Sequence, residues 1–214
     1  MRAIDGPYNP EMMKMLNEFS EWFITHPELP NLPIGGKPDP DYQYTSTQHL
    51  KLRKSKDPKT DKTAEGYPNH THGVDLIRSN HLLPPDMRAP CKTINHKLNA
   101  WFGSKFCAVM MYYPPGGFMD WHNNANCPGY NTLISYSESG DGWFMYQHPI
   151  TKQFHRMKDK PGWTVKAGYF GSWDEKDKIY WHCAATKTHR ITFGYVIPDE
   201  NMWNMMIDDI RDVQ

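Results

Sequence analysis

Apolar residues recur along this chain in two patterns, one typical of helices and the other of β-strands. Near the amino terminus, apolar side chains at three- and four-residue spacing predict an amphipathic helix that begins at Pro10 and is capped by Asn9. The same spacing predicts helices over residues 92–102 and 199–213. Short segments bounded by turn residues are candidate strands, at residues 106–113, 131–137, 143–147, 154–157, 163–165, 169–173, 180–183 and 190–197.

The order of these segments favours one fold class. Several short strands at this spacing are typical of a sandwich or barrel, and a histidine lies in a strand near the start of the series and another near its end. That order is typical of a jelly roll. We therefore predict a mainly β protein with flanking α-helices, and 214 residues suffice for one domain with a full hydrophobic core.

A polar segment interrupts the pattern before the strands begin. Residues 43–72 mix Lys and Arg with Asp and Thr and show no periodicity, which predicts a mobile surface insertion, with a substrate lid as the functional alternative. His70 and His72 within it would hold zinc or copper if they shared a strand face. Turn formers surround them, so we expect ordinary loop histidines or a place on the rim of a substrate pocket. Residues 84–90 are predicted to form a second loop.

The run from residue 111 to residue 126 is the first candidate for metal chemistry. If the segment is extended, residues two apart point to one face, so His122 and Asn124 can converge on one ion. Asp120 would share that face for the same reason, and the pattern leaves either residue as a third ligand. The second candidate histidine is His182, about sixty residues further on.

An acid-binding motif follows His182. Arg190 and Thr192 share one face of a predicted strand whose other face is apolar. A guanidinium donates two parallel hydrogen bonds to a carboxylate, and a neighbouring hydroxyl can donate a third. The scaffold is therefore predicted to hold a metal ion and a dicarboxylic acid.

These residues resemble the iron(II)- and 2-oxoglutarate-dependent oxygenases, whose double-stranded β-helix carries a His-x-Asp/Glu pair, a distal His and an Arg-x-Ser/Thr. The resemblance covers residues 105–198, preceded by a helical and loop extension over 1–104 and followed by a helix in 199–214. Tyr113 begins a Tyr-x-Pro-Gly run similar to that of the AlkB-like branch; Tyr112 would point to the opposite face. The resemblance implies Fe(II) held by His122, Asn124 and His182, and 2-oxoglutarate held by Arg190, Thr192 and Tyr113.

One departure from the family concerns the metal site. Asn124 stands where the family has Asp or Glu, so the expected facial triad of two histidines and a carboxylate lacks its charge. An amide oxygen can still ligate, but it should bind the ion more weakly.

The resemblance implies a dioxygenase that hydroxylates a C–H bond of a peptide side chain or a small molecule. AlkB-like nucleic-acid demethylases carry another Arg six residues after the anchoring one, where this chain has Val196, and prolyl hydroxylases usually anchor the acid with Lys. The alternative is a catalytically inert jelly-roll binding module. The missing carboxylate at Asn124 supports this alternative, whereas the presence of the other five site residues argues against it. A halogenase-type variant, with a halide in place of the acid, is a further alternative.

Composition restricts the partners. The 24 basic and 24 acidic side chains cancel, which disfavours nucleic acid and anionic membranes. No apolar run approaches the ~20 residues of a transmembrane helix, the amino terminus lacks a signal-peptide core, and the four cysteines show no paired spacing. We expect a soluble cytoplasmic protein, either a monomer or a homodimer through its carboxy-terminal helix, that acts on a small molecule or a peptide.

Overall fold

The computed structural model describes residues 1–56 and 66–211 and shows a mainly β protein with two antiparallel sheets. The six-stranded sheet has, in spatial order, β1 (Arg2–Ile4), β9 (Gly162–Phe170), β6 (Gly129–Ser137), β11 (Arg190–Ile197), β4 (Phe106–Tyr113) and β3 (Val74–Asp75). The five-stranded sheet has β2 (Thr71–His72), β5 (Phe118–His122), β10 (Trp181–Thr186), β7 (Gly142–Gln147) and β8 (Phe154–Lys158). The predicted jelly roll with flanking helices is confirmed.

The main hydrophobic core lies between the six-stranded sheet and three helices. These are α1 (Pro10–Ile24), α3 (Pro85–Trp101) and α4 (Glu200–Ile210). The predicted cap of α1 is present, since the side chain of Asn9 accepts a hydrogen bond from the N–H of Met12. Apolar residues of β11 such as Phe193 are fully buried against these helices, and each such side chain contributes roughly 1.5–3 kcal/mol of stability. This packing leaves the opposite face of the sheet for the site.

Two predicted element bounds are wrong. Residues 163–165 and 169–173 were expected to form separate strands, but β9 runs unbroken from Gly162 to Phe170. Residues 84–90 were expected to be a loop, but α3 begins at Pro85. Proline is favoured at the first helical position because its missing N–H would lack a partner there. Pro90 lies inside the helix, where the burial of Met87 and Cys91 offsets its helix-breaking tendency.

The polar segment also contains regular structure. Residues 47–55 form α2 (Thr47–Ser55), which begins at the Ser46 cap and packs on the outer face of the five-stranded sheet. Its buried side chains are Leu50 and Arg53. The absence of periodicity in residues 43–72 did not indicate this helix, because contacts with distant residues rather than an apolar stripe attach it to the sheet. The mobility of the segment stays a prediction, and its residues 57–65 lie outside the described part of the chain.

Within the described ranges, none of the helices combines the length and apolar character needed to cross a membrane.

Candidate metal and acid site

Strands β5 and β10 bring the two candidate histidines together. His122 and His182 are partners in the antiparallel register, and their ring centroids are 4.0 Å apart. Both side chains are buried and line a cavity between the sheets. The rings of Phe144 and Phe170 pack against His182, with centroids 5.4 and 4.7 Å from its own. These contacts fix the orientation of the imidazole and exclude water from one side of it.

A bulge in β5 determines which neighbours face the cavity. The register pairs His182 with His122 and Ala184 with Met119, so one residue of β10 lies opposite two residues of β5, Asp120 and Trp121. Met119 and His122 consequently both line the cavity although they are three positions apart.

The bulge turns Asp120 away from the cavity. Its carboxylate is fully buried on the other face of the sheet, where Oδ2 lies 3.2 Å from Nε2 of His49. The expectation that Asp120 shares a face with His122 is wrong, because the extra residue breaks the period of two.

Asn124 lies beside His182, but strand alternation with His122, which its spacing suggested, is not what places it there. It lies beyond the end of β5 with φ = 54°, a left-handed conformation that Asn tolerates better than most residues. Its Nδ2 is 3.4 Å from Nε2 of His182. The backbone N–H groups of Asn123 and Asn124 both donate to the carbonyl of Gly66, each at 3.1 Å, and so hold this turn. Local turn geometry, rather than strand alternation, therefore places Asn124.

Both histidines present the same nitrogen to the cavity. Nδ1 of His122 lies 2.8 Å from the carbonyl oxygen of Asp120, and Nδ1 of His182 lies 2.8 Å from that of Tyr180. A carbonyl only accepts, so each Nδ1 carries the proton and each Nε2 keeps its lone pair. Burial lowers the pKa of His122, and burial together with the neighbouring His122 lowers that of His182 well below its usual value. Neutral imidazoles with oriented Nε2 atoms are the form that binds metal ions.

This donor set fits a divalent first-row metal ion. Two imidazole nitrogens suit iron, zinc and copper, and the amide oxygen of Asn124 can supply a third, uncharged donor once its side chain rotates. The cavity leaves room beside these groups for a chelating ligand.

We expect Asn124→Asp to tighten Fe(II) binding at least about tenfold and to leave the fold intact. A full negative charge near the ion adds a Coulomb term of about 4 kcal/mol at an effective dielectric constant of about 20, part of which offsets desolvation. Anaerobic Fe(II) titration of both proteins measures the change. Equal affinities of the two proteins would show that residue 124 does not ligate the ion.

The two residues of the predicted acid-binding motif, Arg190 and Thr192, line the same cavity. The buried guanidinium of Arg190 donates from Nη1 to Oγ1 of Thr192 at 2.5 Å and from Nη2 to Oγ of Ser135 at 3.1 Å. Thr192 and Ser135 are direct partners across β11 and β6. Arg190, Thr192 and Ser135 all line the cavity. Together they form a receptor of one cation and two hydroxyls.

Two further charges lie behind this receptor. Nε of Arg190 donates to Oδ2 of Asp159 at 2.8 Å, and Nζ of Lys166 donates to Oδ1 of the same carboxylate at 2.7 Å. All three side chains are buried. Burial alone would raise the pKa of Asp159, but Arg190 and Lys166 outweigh it and lower that pKa. Two cations share one anion, so the cluster keeps a net positive charge that favours a bound carboxylate.

Tyr113 lies between the two ends of the cavity. The guanidinium of Arg190 lies over its ring, 5.5 Å from the centroid. Burial raises the pKa of Tyr113 to about 12, so its hydroxyl is neutral and can donate a hydrogen bond to a ligand. Tyr112 points to the main core and its hydroxyl lies 2.6 Å from Nδ1 of His189. The structure thus places Tyr113, and not Tyr112, in the cavity.

The cavity measures about 460 Å³ and joins the metal end to the acid end. That volume lies within the range of small-molecule sites. Its walls between the two ends are apolar, with Met111, Leu133 and Phe144 among the lining residues. The two histidines and Arg190 therefore line one cavity with room for a small dicarboxylic acid.

Sequence reasoning missed Ser135, Asp159 and Lys166. Ser135 lies on the inward face of β6 together with Asn131 and Leu133, and this polar position in a predicted strand was the available signal. Lys166 lay between the two segments that were expected to be separate strands. Asp159 follows the end of β8, where no local pattern marks it as a partner of Arg190.

Comparisons with known proteins identify no family. No family model and no curated protein matches the chain. Among solved structures, a prolyl-4-hydroxylase from Pseudomonas putida is 14% identical with a TM-score of 0.34, and the match covers 86% of this chain and all of that one.

Two other similar structures also bear oxygenase names. The rice dioxygenase for auxin oxidation is 12% identical with a TM-score of 0.37, over 91% of this chain and 72% of that one. The viral collagen prolyl hydroxylase of Paramecium bursaria Chlorella virus-1 is 14% identical with a TM-score of 0.33, over 72% and 91% of the two chains. Similarities this low say nothing about activity.

Proposed function

We propose that this protein is an Fe(II)- and 2-oxoglutarate-dependent oxygenase that hydroxylates a C–H bond of a peptide side chain or a small molecule. The observation that carries the proposal is the arrangement within one cavity. Two neutral histidines with oriented Nε2 atoms face a buried Arg–Thr–Ser receptor for a carboxylate.

Each group has a role that its geometry supports. His122 and His182 would hold Fe(II), with Asn124 as a weak third ligand. Arg190, Thr192 and Ser135 would bind the remote carboxylate of 2-oxoglutarate, and the Tyr113 hydroxyl would add a hydrogen bond. Iron and 2-oxoglutarate, when bound, supply the oxidation, in which oxygen converts the acid to succinate and carbon dioxide while the substrate C–H bond is hydroxylated. The protein orients these reactants and excludes water from the apolar walls.

The mouth of the cavity favours a peptide or a small polar molecule as substrate. Tyr67 and Pro68 line it beside Asp75 and Arg78, whose charged groups are 3.8 Å apart. At the opening, the carboxylate can bind a cationic group or a peptide N–H, and the guanidinium can bind an anionic group or a peptide carbonyl. The balanced net charge of the chain offers no broad basic surface for nucleic acid.

Anaerobic titration with Fe(II) and 2-oxoglutarate tests the proposal. A weak visible charge-transfer band should appear only when both are present, and admission of oxygen should yield succinate. His122→Ala and His182→Ala should each abolish the band and Fe(II) binding in the cavity, whereas His81→Ala, which changes an exposed histidine outside the cavity lining, should retain both. No band and no succinate from the metal-loaded wild type would reject an oxygenase.

An inert binding module is the second candidate, and the amide of Asn124 is the observation that favours it. A site without a charged ligand could retain 2-oxoglutarate or a similar acid through Arg190 alone. Such a protein would bind the acid in calorimetry with or without Fe(II) and would release no succinate. The amide lies 3.4 Å from His182 Nε2, in the space a halide would need, which disfavours a halogenase.

A further inference from the structure

A second group of metal-ligating side chains lies on the opposite face of the five-stranded sheet from the cavity. It comprises His49 of α2, His70 just before β2, and Asp120 in the bulge of β5. One ligand atom from each residue lies within 4.8 Å of the others. His49 and Asp120 are already close, with Nε2 and Oδ2 3.2 Å apart.

The surrounding residues hold this group in place. The ring of Tyr44 packs edge-on against His49, with centroids 5.3 Å apart, and at 4.3 Å against His70. Tyr44 itself stacks on Phe118 of β5 at 5.3 Å. The second carboxylate oxygen of Asp120 accepts a hydrogen bond from the N–H of Asn69 at 3.0 Å. Ligands of metal ions are typically oriented by such contacts.

We propose that His49, His70 and Asp120 form a second metal site, which takes Zn²⁺ or a similar divalent transition-metal ion. Two imidazoles and one carboxylate are a donor set that zinc prefers. With bonds of about 2.0–2.1 Å, ligand atoms in a tetrahedral zinc site lie about 3.3 Å apart, and the His49–Asp120 distance already matches that value.

The remaining adjustment falls on His70. This residue is exposed and its ring contacts Tyr44 at the surface, so a small rotation brings its side chain toward the other two ligands without disturbing a core. Its position at the surface leaves the fourth coordination place open to water. Because Asp120 contributes the charge that Asn124 lacks, the outer site should bind Zn²⁺ more tightly than the site in the cavity.

A plain hydrogen-bonded pair of His49 and Asp120 is the competing explanation, and His70 distinguishes the two. The pair needs no third residue, whereas a metal site does. His72, the other histidine of the His-x-His run, is a matched control because it is only partly buried and places Nδ1 3.1 Å from the carbonyl oxygen of Gly35, away from the other two ligands.

The experiment is a Co²⁺ titration of the metal-free full chain, with visible absorption reporting the ligands and Zn²⁺ used afterwards in competition. In a His122→Ala/His182→Ala background, which removes the cavity site, one equivalent of Co²⁺ should remain bound with the intense spectrum of a tetrahedral ion. Adding His70→Ala or Asp120→Asn should weaken that binding at least tenfold, and adding His72→Ala should not. Zn²⁺ should displace Co²⁺ and raise the Tm of the background protein.

Absence of bound Co²⁺ in the background protein would overturn the proposal, as would binding that survives His70→Ala. If the background protein fails to fold, the wild type supplies the test, because His70→Ala should then remove one equivalent of bound Co²⁺ and His72→Ala none. The proposal does not rest on the oxygenase function. If the cavity has no oxygenase activity, one equivalent of Co²⁺ should still bind at the outer site. If the outer site does not bind metal, 2-oxoglutarate turnover in the cavity can still be measured separately.

Discussion

Arg190→Ala is expected to weaken 2-oxoglutarate binding by two or more orders of magnitude. The guanidinium is buried, lines the cavity and directs Nη1 and Nη2 to the hydroxyls that would share the carboxylate. Loss of a buried charge partner costs about 3 to 5 kcal/mol, and each ~1.4 kcal/mol is a tenfold change in affinity. Calorimetric titration of 2-oxoglutarate into the Fe(II)-loaded proteins measures the difference.

Two variants of the same receptor make the result interpretable. Arg190→Lys retains the charge but loses the forked donor geometry, so its affinity should fall between those of the wild type and the alanine variant. Ser135→Ala removes only one hydroxyl contact and should cost about 0.5–1.5 kcal/mol. Unchanged affinity in a folded Arg190→Ala protein, as judged by circular dichroism, would place the acid anchor elsewhere.

Asp159→Asn is expected to reduce the free energy of unfolding by about 3 to 5 kcal/mol. The carboxylate is the shared partner of Arg190 and Lys166, at 2.8 and 2.7 Å, and all three groups are buried. An uncharged amide leaves two buried cations without compensation. Urea denaturation followed by circular dichroism measures the loss.

The pH dependence of stability should change in the same variant. The pKa of Asp159 is lowered in the folded protein because Arg190 and Lys166 outweigh the effect of burial. A group with a lowered folded pKa contributes stability above its unfolded pKa, and that stability is lost as the pH falls through the folded value. Asp159→Asn should therefore lose less stability than the wild type when the solution is acidified.

Ligand binding adds a second readout. A bound dicarboxylate supplies negative charge to the cations that Asp159→Asn leaves unpaired, so 2-oxoglutarate should raise the Tm of this variant more than that of the wild type. The charge interaction would be refuted if Asp159→Asn lowered the free energy of unfolding by less than about 1 kcal/mol and left its decrease at acidic pH unchanged. Asp159 would then not be the partner that stabilises the two cations.

The sequence was sufficient to predict which side chains share a face wherever one helical or strand periodicity holds over a whole element. Alternation in residues 190–197 correctly separated Arg190 and Thr192 from the apolar face, and the same rule separated Tyr113 from Tyr112. The apolar stripe of α1 and its cap were predictable for the same reason, because each position depends only on its near neighbours.

The sequence was insufficient where a contact depends on distant residues or on an irregular backbone. Nothing near Asp120 indicates that β5 opposes β10 with one residue in excess, so the face of Asp120 was wrongly predicted. The pairing of Asp159 with Arg190 spans 31 positions, and no local period encodes it. Asn124 was chosen by an alternation that its left-handed conformation does not follow, although it does lie beside His182.

The bulge in β5 also determines which parts of the protein should open together. It turns two consecutive residues, Asp120 and Trp121, away from the cavity, and both attach α2 to the strand. Asp120 contacts His49, and the carbonyl of Trp121 accepts a hydrogen bond from Nε of Arg53 at 3.1 Å. The indole Nε1 of Trp121 donates to the carbonyl of Ser46, the cap of that helix, at 2.8 Å. In native-state hydrogen exchange, the amides of α2 and of the end of β5 should therefore lose protection as one cooperative unit. The rigidity of the backbone beside His122 then depends on how firmly a nine-residue helix is attached to the other side of the sheet.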